Sequence, residues 1–82
     1  MRRRNDMIRE LDTVVLVRDL PEWGLRAGDV GAVVYASPDG RHFEVEFVTG
    51  TGRTVAVVTL SEGDIRVMGE REILHVRALA TA

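Results

Sequence analysis

Asp12-Thr13-Val14-Val15-Leu16-Val17-Arg18 runs into Asp19-Leu20-Pro21-Glu22-Trp23-Gly24-Leu25-Arg26-Ala27, and Gly28-Asp29-Val30-Gly31-Ala32-Val33-Val34-Tyr35 follows. The first segment is β-branched and too short for a stable helix, so Thr13 to Arg18 reads as a strand. Pro21 biases Leu20 toward an extended backbone and cannot donate to a ladder, which opens a loop from Asp19 to Gly28. Gly24 and Gly28 let that loop take left-handed geometry. Val30 to Ala36 reads as a second strand, and Gly31 within it predicts a bulge or a tight bend. A strand, a long punctuated loop and a bent second strand begin a small, strongly curved β-barrel.

The rest of the chain continues the pattern. Ser37-Pro38-Asp39-Gly40 is a turn: proline presets φ and Asp-Gly tolerates left-handed geometry. His42 to Val48 alternates cleanly, with Phe43, Val45 and Phe47 toward a core and His42, Glu44 and Glu46 toward solvent. Thr49-Gly50-Thr51-Gly52 turns the chain into a fourth strand, Arg53 to Leu60, whose two faces are both largely apolar. Ser61-Glu62-Gly63-Asp64 fits a short turn or a single 3₁₀ turn. Ile65 to Met68 is a fifth strand, broken by Gly69-Glu70. Ile73 to Leu79 fits either an extra strand or a short helix, and its β-rich context favours the strand. The expected fold is therefore all-β, a small five-stranded barrel, and the long first loop followed by tight hairpins makes it SH3-like. Residues 1–10 form a flexible lead, 11–69 the barrel and 70–82 a C-terminal extension.

Eighty-two residues suffice for one compact core but not for a deep cofactor pocket beside it. With 45% hydrophobic and 29% charged residues, the composition is that of a soluble globular domain. No apolar run approaches the roughly 20 residues that span a bilayer, so no membrane association is expected. Met1-Arg2-Arg3-Arg4 is not followed by an apolar segment, which argues against a secretory signal. The absence of cysteine excludes disulfides and thiolate metal sites and fits a cytoplasmic location. The net charge of −2 disfavours nucleic acid as a partner, because phosphate neutralisation needs a basic excess. All eleven basic residues are arginine. Genomic composition explains that bias, and bidentate recognition of carboxylates or phosphates is its functional counterpart.

Glu10-Leu11-Asp12-Thr13-Val14-Val15-Leu16, Asp19-Leu20-Pro21-Glu22-Trp23-Gly24-Leu25, Gly28-Asp29-Val30-Gly31-Ala32-Val33-Val34, Val45-Glu46-Phe47-Val48 and Thr54-Val55-Ala56-Val57-Val58-Thr59-Leu60 together resemble a family of small bacterial proteins known only as a domain of unknown function. The likeness covers about Leu11 to Val67. It implies an SH3-like fold without an established activity. Some such proteins stand beside small toxin-like genes, and the resemblance extends to an antitoxin or immunity-type role. Gly28-Asp29-Val30-Gly31-Ala32-Val33 also resembles the turn of KOW-type barrels, which implies RNA binding. This chain departs from those barrels in its acidic charge and in lacking lysine at the turn. The same Gly-Asp-x-Gly-x-Val, with Val45-Glu46-Phe47, is similar to the barrel of the nitrile hydratase β subunit and its accessory proteins. In that enzyme the cysteine metal ligands belong to the α subunit, and this chain is far shorter than such a subunit.

The residues that point to binding are Leu20, Pro21, Trp23, Leu25 and Arg26 in the first loop, with His42, Glu44 and Glu46 on the third strand. Four apolar side chains crowd into the loop and admit two roles: a plug over the open end of the barrel, or an anchor in which Trp23 beside Arg26 meets a partner. Glu44, Glu46 and His42 share a strand face that is either solvated or equipped for metal or proton chemistry. Gly28-Asp29-Val30-Gly31 lacks the spacing and lysine of a phosphate loop and reads as a tight turn. His75 has no ligand partner at metal spacing. No serine or threonine stands in a nucleophile elbow. Arg2-Arg3-Arg4 is a solvated terminus or a contact for an acidic partner or nucleic acid. The expectation is a non-catalytic module, without metal or cofactor, that binds another protein through the Leu20–Arg26 loop and the outer face of the third strand. An exposed strand edge could also pair with a partner or a second copy. The alternative, a KOW-like RNA-binding module, requires Arg18, Arg26, Arg41 and Arg53 to converge on one face.

Overall fold

The computed structural model describes residues 7–80. Five strands form one antiparallel sheet: β1 (Thr13–Leu16), β2 (Val30–Ala36), β3 (His42–Val48), β4 (Thr54–Ser61) and β5 (Ile65–Val67). Their spatial order is β4-β3-β2-β1-β5. The three central hairpin strands run consecutively, and β5 returns to the far side of β1. β4 and β5 are the two edges, so the sheet is not closed by a ladder between them. A 3₁₀ turn at Glu62–Asp64 carries the chain from one edge to the other. Ser61 and Asp64 form a reciprocal capping box there, which fixes the sharp change of direction.

The alternation read from β3 is the alternation of the fold. Phe43, Val45 and Phe47 are each no more than 2% exposed, and they face Leu60, Val58 and Ala56 across the β3–β4 ladder. Val14, Leu16, Val33 and Ile65 complete the same core from the other strands. Burying this continuous apolar set is the main force that bends the sheet on itself.

Gly31 does not mark the bulge. The β2–β3 register shifts between Val33 and Tyr35 instead. Gly31 is where β2 is crowded by its neighbour β3: a Cβ at this position would lie 2.7 Å from Val45 Cγ1 and 2.9 Å from both Phe47 Cε1 and the Glu46 carbonyl oxygen. Glycine serves here by its lack of a side chain, the second reason a strand admits it.

The C-terminal extension is neither the extra strand nor the helix that its pattern allows. Residues 72–80 have no regular secondary structure. Ile73 and Val76 are about nine-tenths exposed, so the segment lacks the buried face that either element needs. At the other end, Leu11 N–H donates to Val33 O at 2.7 Å, and Ile8 packs against the core. The chain is therefore tied down before β1 begins. The arginine run at positions 2–4 lies outside the described residues. Among those described, no helix is long and apolar enough to cross a membrane.

Candidate protein-binding surface

The loop between β1 and β2 holds Leu20, Pro21, Trp23, Leu25 and Arg26. Pro21 opens a 3₁₀ turn, Pro21–Trp23, where its fixed φ and missing N–H cost nothing. Gly24 ends the turn at φ +70° and donates to Pro21 O. Leu20 and Leu25 then exchange both backbone hydrogen bonds, at 2.9 and 3.1 Å, and pinch the loop shut at its base. Carboxylates secure the rest. Asp19 accepts from the Ala27 N–H at 2.9 Å, and Asp29 accepts from the Arg26 N–H at 2.8 Å.

This geometry divides the expected contact residues. Leu20 and Leu25 are 2% and 3% exposed and belong to the core, so neither is available to a partner. They pack into the core beneath the loop, because side chains of a directly bridged pair lie on the same side. Pro21, Trp23 and Arg26 remain on the surface, with Trp23 46% exposed at the tip. Of the four apolar side chains crowded into the loop, Leu20 and Leu25 are thus buried, whereas Pro21 and Trp23 are exposed.

The outer face of β3 is held within the sheet. Thr59 donates its hydroxyl to Glu44 and Thr54 to Glu46, each at 2.6 Å. These cross-strand bonds tie the two carboxylates to β4. His42 is exposed at the start of β3, with its backbone paired to Ser37 and Ser61. Among the described residues, no three histidines or carboxylates come together as a metal-binding group. Close by, Val34, Tyr35 and Val57 are each nearly half exposed.

The arginines disperse. Arg41 precedes β3 and Arg53 follows the turn after it, so they stand at opposite ends of a seven-residue strand, roughly 20 Å apart. Arg18 is bound to Asp64 through Nε at 2.6 Å. That hydrogen bond is the chief reason the Asp64 carboxyl lies below its usual range. No single arginine face brings Arg18, Arg26, Arg41 and Arg53 together.

Two ion pairs absent from the sequence reading hold the C-terminal extension. Arg66 on β5 grips Glu72 through both Nη atoms at 2.7 Å. With help from the Gly69 N–H, that contact lowers the Glu72 carboxyl to about 2. Arg77 forks onto Asp29, with Nε to Oδ1 at 2.8 Å and Nη2 to Oδ2 at 2.6 Å, and Nη2 also donates to Gly24 O at 3.1 Å. Burial raises the Asp29 carboxyl, but the Arg77 fork and the Arg26 N–H outweigh it and the net shift is downward. The anchoring residues of the fold, Arg66 on β5 and Asp29 immediately before β2, lie either side of β1. Between them is Val15, which faces away from the main core and is nevertheless buried. No local signal announces Arg77, because its partner is 48 positions away.

No curated protein and no solved structure matches the chain. Residues 10–67, well over half of it, match the family model described as Domain of unknown function (DUF4926), and to that family the chain belongs.

Proposed function

We propose that this chain is a non-catalytic β module that binds another protein through the tip of its first loop, with Trp23 as the anchor. The observation that carries this reading is a tryptophan left nearly half exposed on a loop with little freedom to move. The Leu20–Leu25 pinch, the Asp19 and Asp29 backbone contacts and the left-handed Gly24 order the loop before any partner arrives. An exposed aromatic held ready in this way loses little entropy on docking, and tryptophan beside arginine is typical of interface hot spots. Pro21 and Arg26 would form the rim of that contact. An antitoxin or immunity-type partner, or an enzyme to which this module is an accessory, would be occluded or held by the same contact. The titratable groups with displaced pKa values are each engaged in a structural hydrogen bond, which supports a role without chemistry of its own.

The test is an affinity capture from host lysate with the wild-type chain and with Trp23→Ala, in the presence and absence of nuclease. Any protein recovered is then purified and titrated against both chains. One stoichiometric, nuclease-insensitive protein, whose affinity falls at least about tenfold with Trp23→Ala, is the expected result. Recovery of nuclease-sensitive RNA or DNA, or equal binding by the folded variant, overturns the proposal.

A further inference from the structure

Beneath the C-terminal extension a groove of about 500 Å³ stays open. Its floor is apolar, formed by Val30, Val48 and Val55, and Asp29 stands at its rim. The extension forms one wall but does not fill it: Leu74 is 63% exposed and Val76 90%. What holds the segment is the fork of Arg77 on Asp29 and Gly24 O. Residues 73–80 contribute no backbone hydrogen bond to the rest of the fold. The groove is built from the span shared with the family, whereas its wall, from residue 68 onward, lies outside that span.

We propose that this groove is a docking site for an extended peptide segment that carries an arginine flanked by apolar residues, and that the chain's own extension is a strap occupying the arginine subsite in its absence. The chemistry of the ligand follows from Asp29. Its side chain is only 17% exposed with Arg77 seated on it, and without Arg77 the carboxylate keeps the Arg26 N–H but loses the forked guanidinium that satisfies both of its oxygens. Stripping one partner from such a pair is costly, so a displacing segment must bring its own cation. A guanidinium also meets the nearby Gly24 carbonyl, which a single ammonium does less well. The strap, seated by its arginine and with Ile73, Leu74 and Val76 largely exposed, is a shallow competitor. A segment that both pairs with Asp29 and buries apolar groups on Val30, Val48 and Val55 gains what the strap leaves unmade. The proposal is independent of the Trp23 contact.

The probe is the acetylated nonapeptide with the sequence of residues 72–80, titrated to millimolar concentration into the ¹⁵N-labelled full-length chain and followed by NMR. In an Arg77→Ala chain the amides of Gly24, Leu25, Asp29 and Val55 shift on addition. In the wild-type chain the same shifts need at least about tenfold more peptide, because the tethered strap competes at high effective concentration. A peptide with alanine in place of its arginine moves neither chain. Should Arg77→Ala lose its spectral dispersion, the wild type alone decides: at saturating peptide its Val76 and Leu79 amides move toward unstructured positions. No response in any chain, equal response to the alanine peptide, or shifts confined to other faces would falsify the docking site.

Discussion

Leu20, Trp23 and Leu25 lie within six positions of one another, yet the fold uses them in opposite ways. Leu20→Ala or Leu25→Ala opens the core and should lower stability by roughly 2–5 kcal/mol, whereas Trp23→Ala removes a half-exposed ring and should cost about 1 kcal/mol or less. Urea denaturation of the three variants checks this, and similar losses for all three would mean that Trp23 is part of the plug. The sequence showed a crowded apolar loop but could not sort its members, because the sorting depends on the backbone bonds between Leu20 and Leu25. Glycines divide in the same manner. Gly31→Ala drives a methyl into Val45 and Phe47 and should destabilise by about 1–3 kcal/mol through overpacking. Gly28 has open space around it but a φ of +95°, so Gly28→Ala carries only backbone strain, about 1–2 kcal/mol. A larger side chain unbranched at Cβ separates the two: Gly31→Leu should fold far less well than Gly31→Ala, while Gly28→Leu should resemble Gly28→Ala to within about 1 kcal/mol.

At the level of elements, β2 and β3 lie where the pattern puts them, since period-two alternation and turn residues are local signals. β1 is shorter than its valine run implies, because Val17 and Arg18 leave the ladder to reach the Asp64 turn. The strap was not legible. Its apolar residues are spaced for a helix or a strand, and what positions it are two arginine–carboxylate pairs. These pairs make it acid-sensitive. A carboxylate depressed in the folded state stabilises fully above its ordinary pKa and loses that contribution as pH falls through the folded value. For Glu72 the window runs from its ordinary value of 4.5 down to about 2. Asp29, lowered in the same direction, loosens the second anchor over the acidic range below its ordinary value of 3.8. Carboxyl-detected NMR should find Glu72 still charged at pH 4, with the Val76 and Leu79 amides freed only at lower pH. A Glu72 midpoint at its ordinary value would show that the Arg66 fork is not populated in solution.

For the whole molecule, one contiguous core joins every strand, and among the described residues no second cluster stands apart from it. Unfolding should therefore be a single cooperative step, with far-ultraviolet dichroism and amide NMR giving the same urea midpoint and a slope of about 1 kcal/mol per molar. Separate midpoints would mean that the β4–β3–β2 meander holds together without β1 and β5. The strap, outside this core, should come free without disturbing that midpoint by more than about 1 kcal/mol. The single tryptophan gives this architecture an optical consequence. Being half in water already, Trp23 should emit at nearly the same wavelength in the native and the unfolded chain, and so make a poor gauge of global stability. Its next neighbour, Gly24, carries the carbonyl that Arg77 holds. The indole emission should then respond, in intensity more than in colour, to whether the strap is latched, which makes the chain's own chromophore a reporter of its latch.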